Sequence, residues 1–61
     1  MQMISKEVFF ARMDEALKMR KIKKADRNKA CCFYWAMIET GSASADDSLE
    51  HEEKKTRLYL I

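Results

Sequence analysis

Apolar residues recur along this chain at helical spacing, with polar residues filling the gaps. Phe9, Met13, Ala16 and Leu17 stack on one side of a helix, and Phe10 widens that side. Arg12, Asp14, Glu15 and Lys18 lie mainly off it, and Asp14 and Lys18 have the i,i+4 spacing of a favourable ion pair. Ser5 is placed as an N-cap, because its hydroxyl can accept from an amide of the first turn that has no helical partner. Glu7 follows near the positive end of the helix dipole. The pattern predicts a first amphipathic helix over about 6–22.

A second helix is predicted over about 27–40. Ala30, Phe33, Tyr34 and Met37 make one face of it, Cys31, Trp35 and Ile38 another, and Cys32 and Ala36 the side between. It is therefore apolar nearly all round, a property of helices in the middle of something. Gly41 follows as a left-handed stop. The intervening KMRKIKKADRNK, residues 18–29, has no glycine or proline, and two readings remain open. In one, the chain turns near Ala25–Asn28, with Asp26 or Asn28 capping the second helix. In the other, a single helix runs from Lys6 to Thr40, with Ile22, Ala25, Cys32 and Ala36 continuing a stripe. The turn is favoured, since Asp and Asn suit caps better than helix interiors and so long a helix exceeds the usual globular range.

GSAS, residues 41–44, reads as a short linker. Ser44 then opens S-A-D-D, which has capping-box spacing with Asp47 in place of the usual Glu. Asp46 and Asp47 suit the positive start of a helix, and Lys54, Lys55 and Arg57 its negative end. Glu50–Lys54 and Glu53–Arg57 have favourable i,i+4 spacing. A third, acidic helix is predicted over about 45–59. Its apolar residues are Leu49 and then Leu58, Tyr59, Leu60 and Ile61 at the end. With no proline and one glycine, the chain lacks the residues of tight hairpin turns. The expected fold is all-α, a helical hairpin plus a C-terminal acidic helix, in one small domain spanning 1–61.

A chain of 61 residues buries only roughly 60% of the surface its unfolded form exposes. Chains this small usually need a disulfide, a metal or a partner chain for stability. The only cysteines, Cys31 and Cys32, are adjacent, and a bridge between neighbours closes almost no loop. They read instead as small buried hydrophobes in a reducing compartment. MQMISKEVFFARM, residues 1–13, has no apolar run of leader length, and no stretch approaches the ~20 apolar residues of a membrane span. A cytoplasmic protein is the expectation, with no membrane partner. That leaves a partner chain as the source of extra burial. Phe33, Tyr34, Trp35, Met37 and Ile38, helped by Phe9, Met13 and Leu17, are the expected shared core of a homo-oligomer, a dimer being favoured.

Charge is uneven. Residues 1–30 carry nine basic and four acidic side chains, and residues 31–61 three and six. Lys18, Arg20, Lys21, Lys23, Lys24, Arg27 and Lys29 could grip phosphates in a salt-sensitive, sequence-tolerant way. The other reading is a solvated face or helix end that pairs with the acidic third helix, in the same chain or a partner, and this is favoured because no base-reading pattern accompanies them. A helix-turn-helix would want a tight turn, often with glycine, that 6–40 lacks. Zinc would need four ligands, whereas Cys31 and Cys32 point apart on a helix and His51 is the lone histidine. His51, among Glu50, Glu52 and Glu53, reads as a solvated helix residue. No nucleophile, base and orienting group are spaced together, and no glycine loop is present to cradle phosphate. No enzymatic activity, metal or cofactor is expected.

FFARMDEAL (9–17), CCFYWAMIETGSAS (31–44) and RLYLI (57–61) resemble one of the small open reading frames, about sixty residues long like this chain, in the exo–xis early region of lambdoid temperate phages. The resemblance covers most of the chain. It implies a small helical, non-enzymatic protein made early in phage development and tied to the lysis–lysogeny choice and to interference with host functions. It supplies no functional residues. The combined expectation is a regulatory interaction protein that self-associates and binds another host or phage protein. The alternative is a small nucleic-acid-binding regulator using 18–29.

Overall fold

The computed structural model describes residues 4–61, so the first three of the residues 1–13 read above lie outside the described residues. Three helices follow one another: α1 (Lys6–Met19), α2 (Lys24–Glu39) and α3 (Ala45–Leu60). The fold is all-α, and among the described residues there is no strand.

Ser5 caps α1, accepting from the Val8 amide at 3.2 Å. At the other end α1 stops three residues before the expected boundary. Lys21 adopts the left-handed conformation, with φ 63°. The Ile22 amide then donates back to the Leu17 carbonyl at 3.2 Å and the Lys21 amide to the Lys18 carbonyl at 2.8 Å. This is the paired-bond termination that normally uses glycine. It throws Ile22 onto the core cluster. The chain therefore turns at Arg20–Lys23 rather than at Ala25–Asn28, and the single helix from Lys6 to Thr40 does not form. Neither Asp26 nor Asn28 is the cap: Lys23 takes the N-cap position without a side-chain bond, and Asp26 sits in the first turn. What fixes the turn is tertiary. Arg27 donates from Nη1 to the Ile22 carbonyl at 2.6 Å and from Nε to Asp14 Oδ1 at 2.7 Å.

The second turn is a near copy of the first. Gly41, with φ 80°, lets the Ser42 amide reach the Met37 carbonyl at 2.9 Å and the Gly41 amide the Ile38 carbonyl at 3.1 Å. Ser44 then caps α3, accepting from the Asp47 amide at 3.4 Å. α3 runs one residue past its expected end.

Phe9, Met13, Leu17, Cys31 and Leu49 form the buried core, and four of these are less than 3% exposed. Each fully buried large apolar side chain contributes about 1.5–3 kcal/mol. Three of the five come from α1, which packs against both other helices, while α2 and α3 meet over a shorter stretch. The middle of the fold is thus α1, and not the second helix as its composition suggested. Only Cys31 of α2 is fully buried. Ala30, Tyr34, Trp35 and Ile38 lean on the core half-buried, with the Trp35 ring centred 5.4 Å from Phe9 and 6.3 Å from Phe10.

Candidate functional site

At the crossing of α1 and α3 the residues are small. The Thr56 hydroxyl reaches the Ala16 carbonyl at 2.9 Å and the Glu52 carbonyl of its own helix at 3.0 Å. Ala16 has no bulk to keep the helices apart, so a side-chain hydroxyl can approach a backbone oxygen of the neighbouring helix. Four residues to either side of Ala16, Arg12 of α1 and Arg20 at its C-cap close on consecutive carboxylates of α3. Arg12 binds Glu53 at 3.1 Å near solvent. Arg20 binds Glu52 beneath the surface.

Glu52 is the centre of the buried polar chemistry. Its side chain is 7% exposed, and it accepts from Arg20 Nη2 at the C-cap of α1 and from the Tyr34 hydroxyl of α2, so one carboxylate of α3 is tied to the end of α1 and to α2. Lys55 adds an ammonium at 3.7 Å. Burial alone pushes the Glu52 carboxyl up. The Tyr34 hydroxyl, Arg20 and Lys55 overcome it and hold the group below its ordinary value. Burial pushes the Tyr34 phenol up to about 12, helped by its bond to Glu52 and by the carboxylate charge, against Arg20. Arg20 Nε is buried with no hydrogen-bond partner among the described residues. This arrangement holds fixed charges in fixed places. It contains no free nucleophile and no unengaged base.

The expected oligomer residues divide sharply. Phe9, Met13 and Leu17 are buried inside the protomer and present nothing to a second chain. Tyr34 is engaged by Glu52, and Trp35 and Ile38 pack on the core. Met37 is half-buried. Phe33 alone of the eight turns its ring outward, 65% exposed. The reason is rotational: 30, 31, 34, 35 and 38 share the inner side of α2, and 32, 33 and 36 take the outer side. A second apolar group, Leu58, Tyr59, Leu60 and Ile61, is exposed at the end of α3. Between α1 and α3 lies an open cleft of about 410 Å³, lined by Arg12, Glu15, Ala16 and Met19 from α1 and Glu50, Glu53, Thr56, Arg57 and Leu60 from α3.

The seven basic residues also divide. Arg20 and Arg27 are consumed by Glu52 and Asp14. Lys18, Lys21, Lys23, Lys24 and Lys29 are exposed, and none forms an ion pair among the described residues. Pairing with the third helix therefore holds for Arg20 only. The helical pairs Asp14–Lys18, Glu50–Lys54 and Glu53–Arg57 do not form. Asp14 and Glu53 turn to Arg27 and Arg12 on other helices, which offer contacts that a neighbour one turn away does not.

The adjacent cysteines are separated by their helix: Cys31 is buried and Cys32 exposed. Burial raises the Cys31 thiol, with Asp14 and Cys32 adding to it and Arg27 opposing. His51 is exposed on α3. Among the described residues no three His, Cys, Asp or Glu side chains are grouped to hold a metal, and no helix is long and apolar enough to cross a membrane.

Sequence reasoning missed Glu52 and gave Tyr34 another role, in the shared core of a homo-oligomer rather than as a donor to a buried carboxylate. A signal was present. Glu52 lies three residues after Leu49 and four before Thr56, on the stripe that α3 turns inward. A carboxylate at such a position is stable only with buried partners.

Comparison with family models, with curated proteins and with solved structures returns no match.

Proposed function

We propose that this chain is a small non-enzymatic interaction protein that works by self-association and by binding another protein. One observation carries the reading. α2 holds apolar residues that the protomer leaves in water, with Phe33 65% exposed between exposed Cys32 and Ala36. Aromatic residues are enriched in the cores of protein interfaces, which supports the reading. The resemblance to early-region phage proteins agrees with a regulatory binding role. Sedimentation of the full chain, from micromolar to about 1 mM, tests self-association. A concentration-dependent rise to twice the chain mass is expected, and a monomer throughout refutes it. Phe33→Glu is the appropriate disruptor, because Trp35→Glu would also break the contacts to Phe9 and Phe10.

A second reading rests on the lysines. Lys18, Lys21, Lys23 and Lys24 gather around the α1–α2 turn without partners among the described residues, which suits phosphate contact. A mobility shift with duplex DNA at low salt tests this reading. No shift removes it, and binding that disappears on adding salt leaves only a non-specific patch.

A further inference from the structure

From Lys29 to the end of α2 the exposed residues are Lys29, Cys32, Phe33, Ala36 and Glu39, with Ala25 on the same side one turn earlier. The layout from Lys29 to Glu39 is balanced about the helical level of residue 34. Cys32 lies two residues before that level and Ala36 two after it; Lys29 lies five before and Glu39 five after. At 1.5 Å per residue, the two charges stand about 7.5 Å to either side of the midpoint. Neither has an ion-pair partner within its own chain among the described residues. Small side chains at Cys32 and Ala36 permit close approach, and Phe33 stands beside them.

We infer that α2 pairs antiparallel with α2 of a second copy of this chain, about a two-fold axis at the level of residue 34. This inference rests on the self-association proposed above and specifies its surface. In that arrangement Lys29 meets the partner's Glu39, and Glu39 meets the partner's Lys29. Cys32 lies opposite the partner's Ala36, and the two Phe33 rings come together near the axis. A two-fold contact must be self-complementary, and this face satisfies that condition in charge and in size. The parallel alternative places Lys29 on the partner's Lys29 and Glu39 on the partner's Glu39, and like-charge contact disfavours it. The patch is a single short helix face, so the dimer belongs to the weak, small-interface class. The exposed end of α3 lacks this balance: its apolar residues sit at one extremity, with Lys54, Lys55 and Arg57 on the preceding turn.

Sedimentation equilibrium on four full-length proteins tests the pairing: wild type, Lys29→Glu, Glu39→Lys and the double exchange. Each single substitution acts twice by symmetry and converts two attractive pairs into two repulsive ones. Each is expected to weaken the dimer by about tenfold or more. The double exchange is expected to return to within about threefold of wild type. All the altered side chains are exposed, so helical circular dichroism should be unchanged and a folding failure would be visible. Weakening by the singles without rescue by the double overturns the antiparallel register. A dimer indifferent to all the substitutions overturns the inference and leaves self-association standing on another surface. A monomer at every concentration overturns both.

Discussion

Glu52 and Glu53 offer a controlled comparison. They are adjacent, both are carboxylates, and each is held by an arginine, Arg20 at the C-cap of α1 for Glu52 and Arg12 within α1 for Glu53, yet their side chains are 7% and 39% exposed. Glu53→Gln loses an ion pair whose arginine is itself 49% exposed, and such surface pairs contribute about 0.2–1 kcal/mol. Glu52→Gln acts differently. It leaves Arg20, only 16% exposed, without its anion, and the amide can accept but cannot supply the lost charge. Charge-assisted hydrogen bonds contribute about 1.5–3 kcal/mol, and breaking a buried pair costs about 3–5 kcal/mol. The residual exposure of Arg20 and the surviving bond from Tyr34 bring the expected loss to about 2–3 kcal/mol. A 61-residue chain has a total stability of only about 3–9 kcal/mol. The melting midpoint should therefore fall by about 10–20 °C for Glu52→Gln and by about 1–8 °C for Glu53→Gln. Urea denaturation followed by circular dichroism, at protein concentrations too low for self-association, measures the difference directly. Added salt should weaken the Glu53 contribution and leave that of Glu52 largely intact. Equal losses in the two variants would refute the claim that burial of one carboxylate, rather than the count of ion pairs, holds the three helices together.

Four further outcomes follow from the same geometry. In the folded chain Glu52 titrates below its ordinary value of 4.5, so its contribution is complete above that value and is lost as pH falls through the folded value; Glu52→Gln should flatten the acid limb of a stability–pH curve. Tyr34 is raised from 10 to about 12, so its contribution is complete below pH 10 and is lost as pH rises through about 12, an alkaline limb that Tyr34→Phe should remove. Lys21→Gly should stabilise and Gly41→Ala destabilise, each by about 1 kcal/mol in chemical denaturation, because both positions have positive φ and a Cβ at Gly41 would meet nothing within 4 Å, leaving backbone strain as the whole effect. Trp35→Glu should lower stability by about 3–5 kcal/mol, a large share of the total, whereas Phe33→Glu should leave the melting midpoint within about 2 °C of wild type.

Local signals were legible in the sequence wherever the structure depends on neighbours within one turn. Ser5, Gly41 and Ser44 do what their residue types imply, and the stripe Phe9, Met13, Ala16 and Leu17 is the inner face of α1. The first turn was misplaced because its determinants are distant. Asp26 and Asn28 advertise a cap, but Ile22 gains burial on the core and Arg27 gains Asp14 and a carbonyl, and these gains hold Lys21 in a conformation its type disfavours. The buried cluster was obscured for a similar reason. Glu52 looks like one more acid in an acidic helix until Arg20 and Tyr34, 32 and 18 residues away in sequence, are brought to it.

The apolar run on α2 shows how far composition can be trusted. Its abundance suggested a central helix, but a helix becomes central only if neighbours cover several of its sides. α3 is too polar to do so: its inward stripe is Ser48, Leu49, Glu52 and Thr56, which offers one large apolar side chain and three groups that need polar partners. α1 has the only stripe wide enough to serve two neighbours, so it takes the centre, and α2 is left covered on one side. The outward residues of α2 then have no role in holding the protomer together. Replacing Phe33 by a charged residue should cost the fold almost nothing, and only a second molecule can make its 65% exposed ring matter. If Phe33→Glu leaves stability untouched and also leaves association untouched, the exposed face of α2 is ordinary surface, and the charge balance of Lys29 and Glu39 is a coincidence of sequence.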